Sequence, residues 1–164
     1  MLDQRLATRV ENFVSRLKRE SVCMHGFILD VRGEVKATAY YPPFVEGEAH
    51  RMYSVSKSMT ALAIGLLLDE GKISLDDCIA DYFRDFLPEK PDARLMRLKI
   101  RDMLRMATCY RATVYRETDD DWTKPFFTAE PTHEPGTVFH YDTGCSQVLA
   151  ALVARLTGQQ VMDY

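Results

Sequence analysis

The segment that most constrains this chain runs Met59-Thr-Ala-Leu-Ala-Ile-Gly-Leu-Leu-Leu68, with no charged side chain in it, and is closed by Asp69-Glu70-Gly71. It is too short to span a bilayer. A helix apolar on almost every face has to sit inside protein, with other elements around it. At its head stands Ser54-Val55-Ser56-Lys57-Ser58. Lysine is among the residues least often buried, and a positive charge is disfavoured at a helix N-terminus. A lysine at that position therefore calls for a chemical reading.

The elements around this helix follow from periodicity. Leu6, Val10, Phe13, Val14 and Leu17 recur at helical spacing with charges between them, which predicts a helix over residues 4–19 with Asp3 as a candidate N-cap. Met24 to Val31 and Glu34 to Tyr40 read as two strands joined at Arg32-Gly33. Pro42-Pro43 and Gly47 mark a loop. The central helix is expected from Ser54 to about Glu70, with Gly71 as its stop. Ser74 is a candidate cap for a short amphipathic stretch that Pro88 and Pro91 end. Ile100, Met103, Leu104 and Ala107 predict another helix. The pattern weakens from Arg111 to Pro135, where the acidic run Glu117 to Trp122 reads as a solvated loop. Leu149, Leu152, Val153 and Leu156 predict a last helix closed by Gly158. Two strands alone do not make a stable sheet without cover or further strands.

The pattern Ser54-x-x-Lys57 has a decoy, because Ser15-Arg16-Leu17-Lys18 matches it too. The decoy lies on the polar face of an amphipathic helix, where both side chains are simply solvated. At a helix start, residues i and i+3 share a face, so the Lys57 amine can reach the Ser54 hydroxyl. Burial and the positive helix end would disfavour the ammonium form and suit Lys57 to act as a base. The first-turn N–H at Ser54 has no helical partner and can point at a developing oxyanion. The competing reading is an N-cap serine beside a snorkelling lysine. Tyr141, just ahead of the last helix, could share a proton with such a lysine and serve a leaving group, or be an ordinary half-buried aromatic.

Composition removes other classes. With 164 residues, net charge −3, 46% hydrophobic and 27% charged residues, the chain reads as a globular protein with no basic footprint for nucleic acid. The N-terminus is charged throughout, with no apolar signal core, so the expected location is cytoplasmic and no membrane partner is expected. Cys23, Cys78, Cys109 and Cys145 form no CxxC and read as reduced, mostly buried thiols. His25, His50, His133 and His140 show no metal-ligand spacing.

Three segments in order resemble the serine β-lactamase and penicillin-binding-protein superfamily. They are YSVSKSMTALAIGLLLDEGKISLDD, LKIRDMLRMAT and PGTVFHYDTGCSQVLAALVARLTGQ. The similarity is to the branch of class C β-lactamases, D-amino-acid peptidases and β-lactamase-like esterases, and it covers about Gly26 to Tyr164. It implies an α+β, β-lactamase/transpeptidase-like fold in truncated form: an N-terminal helix, a two-strand hairpin and a mainly helical region. It implies that Ser54 is the nucleophile, Lys57 its proton acceptor and Tyr141 the tyrosine of a Tyr-x-Asn motif. Thr143 stands at the asparagine position and becomes a substrate-binding candidate, with Asp142 between them. Threonine lacks the amide's paired donor and acceptor, which argues more against classical β-lactam hydrolysis than against serine hydrolysis in general. Cys109 and Tyr110 replace the family's frequent Ser-Gly, and no KTG or HxG follows Tyr141.

The expectation is a serine hydrolase acting on a β-lactam, D-amino-acid peptide or small ester without metal or cofactor. Residues 1–164 would be the N-terminal part of one catalytic domain, inactive alone, with a sheet edge open to self-association. The rival expectation is a non-catalytic ligand-binding or sensory module of the same fold.

Overall fold

The computed structural model describes residues 4–111 and 121–164. Asp3 and most of the acidic run Glu117 to Trp122 lie outside these residues. The chain divides into two units, Met1–Arg51 and Met52–Tyr164.

In the first unit, α1 spans Gln4–Arg19, as its apolar spacing predicts. Strands β1 (Gly26–Val31) and β2 (Glu34–Tyr40) form a two-stranded antiparallel sheet, so the first strand begins two residues later than expected. Both turn residues have positive φ, 60° at Arg32 and 81° at Gly33, and the Asp30 carboxylate accepts the Gly33 N–H at 2.9 Å. Such a turn matches the twist of the strands it joins. The register shifts between Leu29 and Asp30, a bulge in the pairing. Phe13 of α1 meets Phe27 of β1 edge-on, with centroids 5.9 Å apart. No residue of α1 is fully buried.

The second unit holds the core. Helix α2 spans Ser56–Asp69, preceded by a 3-10 turn over Tyr53–Val55. Its C-terminus closes in a Schellman motif: Lys72 N–H bonds Leu67 C=O at 3.0 Å, Gly71 N–H bonds Leu68 C=O at 3.0 Å, and Gly71 has φ 68°. Helix α3 is shorter than expected, Ile100–Leu104, because the chain turns at Met106 with φ 51°. Helix α4 (Thr123–Thr128) has no apolar period long enough to read from sequence. Helix α5 spans Thr143–Thr157 and ends at Gly158 with φ 72°. The Ser74 stretch forms no α-helix; it breaks into 3-10 turns at Ile79–Tyr82 and Arg84–Phe86. Ser74 there heads a turn, its N–H bonded to the Asp77 carboxylate at 2.7 Å.

The core is built where α2, α3, α4 and α5 meet. Leu67, Phe83, Leu98, Ile100, Phe127, Val148 and Leu152 are fully buried in it. Each such side chain contributes roughly 1.5–3 kcal/mol of burial free energy. One expectation is corrected here. Helix α2 is not enclosed: Ala63, Ile64 and Leu67 are buried, while Met59, Leu62 and Leu66, with Val55 just ahead of the helix, are about half exposed or more. Those four recur at helical spacing and form one stripe. Among the described residues, α5 packs against the opposite face. Among the described residues no helix is long and apolar enough to cross a membrane.

Candidate active site

Two local structures bring the candidate residues together. The first is the turn into α2. Val55 N–H bonds Met52 C=O at 3.1 Å, and Tyr53 takes a left-handed φ of 48°. A non-glycine residue held there stores local strain. Ser54 therefore sits in the 3-10 turn, two residues ahead of the start of α2 at Ser56, whereas the sequence placed the helix start at Ser54 itself. Among the described residues, no hydrogen bond engages the Ser54 N–H.

The second is the approach to α5. Gly136 N–H bonds Ala107 C=O at 2.7 Å, and His140 N–H bonds Met106 C=O at 2.9 Å. These bonds pin residues 136–140 to the turn after α3. Gly136 is required: its φ is 79°, and a Cβ there would stand 2.9 Å from Asp102 Oδ1. Asp102 is itself buried and accepts the Lys99 N–H at 3.3 Å. Asp142 then caps α5, its Oδ1 accepting the Gly144 N–H at 2.8 Å from extended backbone. Burial pushes the Asp142 carboxyl above its ordinary value, against the backbone hydrogen bonds that lower it. The motif's middle residue is thus a structural cap. Cys145, one turn on, donates its thiol to Asp142 C=O at 3.1 Å and is fully buried.

These two frames bring three side chains to one oxygen. Lys57 Nζ donates to Ser54 Oγ at 2.9 Å, and Tyr141 OH donates to the same Oγ at 2.6 Å. Lys57 Nζ also lies 5.2 Å from the Tyr141 ring centroid. The Tyr141 phenol is held below its ordinary value, first by the Ser54 hydrogen bond and then by Lys57. Ser54 is exposed and Lys57 half-buried, so the deep burial expected of this lysine is not found; the Ser54 oxygen opens to solvent instead. Ser56 and Ser58 have no part in the cluster. Ser15 lies on the exposed side of α1, as its polar surroundings suggest.

Thr143 occupies the first turn of α5, half-buried. Among the described residues no hydrogen bond joins its side chain to Ser54, Lys57 or Tyr141. All four cysteines are free; Cys109 and Cys145 are buried, Cys78 is intermediate and Cys23 is exposed. Among the described residues, no three His, Cys, Asp or Glu side chains group as a metal site. Sequence reading missed the contact between His25 and His50, which lie 3.1 Å apart. They are 25 residues apart in the chain, and no spacing rule joins them.

A hairpin followed by a mainly helical unit is the fold of the β-lactamase/transpeptidase class. Solved structures agree. The chain superposes on EstCE1, a hydrolase with promiscuous acyltransferase activity, with TM-score 0.74, 22% identity, and coverage of 96% of this chain and 49% of that one. It matches the octameric penicillin-binding protein homologue from Pyrococcus abyssi with TM-score 0.68 and 20% identity, covering 96% and 41%. The Beta-lactamase family model matches residues 25–164, and the chain belongs to that family. A curated relative, 6-aminohexanoate-dimer hydrolase from Paenarthrobacter ureafaciens, is 35% identical over 77 residues, 47% of this chain and 19% of that protein. The chain thus spans about a fifth of that relative and under half of these solved chains.

Proposed function

We propose that this chain carries the nucleophile of a serine hydrolase that acts on an amide or ester through an acyl-enzyme on Ser54. The observation that supports this reading is the convergence of Lys57 Nζ and Tyr141 OH on Ser54 Oγ, at 2.9 and 2.6 Å. Serine oxygen is a weak nucleophile until a neighbour removes its proton. In the proposed reaction Ser54 Oγ attacks the carbonyl carbon while Lys57 takes the hydroxyl proton. The Ser54 N–H donates to the resulting oxyanion. The intermediate collapses, the bond to the leaving group breaks, and Tyr141 delivers the proton that group needs, its phenolate being reprotonated by the ammonium of Lys57. Water then hydrolyses the acyl ester and regenerates Ser54. No step calls for a metal or cofactor.

Thr143 is assigned to substrate binding, offering one hydroxyl where an asparagine would offer a paired donor and acceptor. That difference favours linear amides and esters over β-lactams, and the name of the relative, 6-aminohexanoate-dimer hydrolase, favours an amide. Turnover is ascribed to a catalytic domain with a second oxyanion donor and a third motif, since no KTG or HxG follows Tyr141 in these 164 residues. Loss of one oxyanion donor typically lowers rate by about 10²–10³-fold.

The test is covalent labelling with a fluorophosphonate and with a penicillin, read by intact mass and peptide mapping. A single adduct on Ser54, absent from Ser54→Ala, is the expected result. Label on Ser56, or undiminished labelling of Ser54→Ala, would sink the assignment. Absence of any adduct would favour the non-catalytic binding module.

A further inference from the structure

Outside the Ser54 cluster, the densest unassigned chemistry lies in the first unit. His25 stands just ahead of β1 and His50 at the end of the loop that follows β2. His25 Nδ1 and His50 Nε2 are 3.1 Å apart, a hydrogen-bond distance. Phe44, from the middle of that loop, stacks on His25 with centroids 3.9 Å apart and planes at 23°. The His50 ring stands on edge to both, at 5.0 Å from His25 and 4.9 Å from Phe44. The backbone adds two ties: Tyr41 N–H to His25 C=O at 2.9 Å, and Phe44 N–H to Tyr41 C=O at 3.0 Å. The same histidine therefore anchors the loop through its ring and through its carbonyl.

A hydrogen bond between two imidazoles needs a proton on one nitrogen and a lone pair on the other. It forms when both rings are neutral, and when only one is charged. Once both are charged, no lone pair is left and two like charges face each other at contact. Among the described residues neither ring is ion-paired with a carboxylate that would offset this. The titratable and charged groups on the two packed segments are Cys23, Tyr40, Tyr41, Glu46, Glu48 and Arg51. From this geometry we infer that the His25–His50 bridge is an acid-sensitive clasp, which holds the loop from Tyr41 to His50 on the start of β1 and releases it when both rings are protonated. His50 precedes Ser54 by four residues in the chain, so the released segment is the one that leads into the Ser54 turn. The clasp does not depend on the role proposed for Ser54.

In the ¹⁵N-labelled chain at neutral pH, a scalar coupling across the N–H···N bond should link His25 Nδ1 to His50 Nε2, and it should vanish in acid once the ring ¹⁵N shifts show both imidazoles protonated. Protection of the Tyr41 and Phe44 amides against exchange, corrected for intrinsic rate, should fall roughly tenfold or more over the same interval. His25→Phe keeps a ring on Phe44 without the bridge, so its loop should already be weakly protected at neutral pH and respond little to acid. No coupling at neutral pH, or equal protection at both pH values, overturns the inference. So does a His25→Phe chain that loosens with acid as much as the parent. If that variant does not fold, the ring signals of the parent decide alone.

Discussion

Removing the Tyr141 hydroxyl separates the proton-donor role from simple packing. Tyr141→Phe keeps the ring, and with it the contact to Lys57 at 5.2 Å, but deletes the 2.6 Å bond to Ser54 Oγ. The side chain is 52% exposed, so water takes the place of the hydroxyl. The folding cost should stay within about 0.5 kcal/mol. The rate cost should be far larger. A positioned proton donor is worth about 10²–10⁴-fold, or about 3–5 kcal/mol of barrier. That loss should appear only where the leaving group needs a proton. Single-turnover acylation of Ser54, followed by mass, would compare an acyl 4-nitroanilide with the matching 4-nitrophenyl ester. The anilide should lose the full factor and the ester about tenfold or less, since nitrophenolate departs unprotonated. The pH dependence has a definite sign. The Tyr141 phenol is held below its ordinary value of 10, so the donor is lost as pH rises, and anilide acylation should begin to fall below pH 10. The variant should lack that limb. Equal losses for anilide and ester would place Tyr141 earlier in the reaction, and no loss for either would remove it from the mechanism.

The same assay should show Lys57→Arg acylating more than about tenfold slower than the parent although charge is kept, because arginine does not give up its proton. The two faces of α2 should differ in urea unfolding: Leu67→Ala, at 0% exposure, should cost about 2–5 kcal/mol, and Leu62→Ala, at 64%, within about 0.5. Equal costs would mean that the stripe is covered. Thiol labelling at mild pH should modify exposed Cys23 and spare Cys109 and Cys145, whose burial pushes their thiols up to about 11 and about 12; early modification of either would show the core open there. The Tyr82 phenol is raised to about 12 by burial and by its hydrogen bond to Asp77. Its contribution to stability is full below its ordinary value of 10 and is lost as pH climbs from there toward 12, so the parent's urea midpoint should fall more steeply over that range than that of Tyr82→Phe.

Local rules act along the chain, and what they govern could be read from the sequence. The apolar period set α1 at Gln4–Arg19, and the positive-φ turn at Arg32-Gly33 set the hairpin. Gly71 and Gly158 stop their helices because the left-handed conformation costs a glycine least. The reach from Ser54 to Lys57 is also local, three residues along one turn. Tertiary structure decided the rest. Tyr141 meets Ser54 across 87 residues only because Gly136 and His140 are pinned to the turn after α3. The Ser74 stretch and α3 came out shorter than their apolar patterns, because left-handed and extended residues interrupt them where the core turns the chain. Helix α2 shows the limit most clearly. Its sequence is apolar on almost every face, but burial needs a partner at each face, and that depends on which elements reach it. In this chain α5 covers one face, and the stripe from Val55 to Leu66 stays exposed.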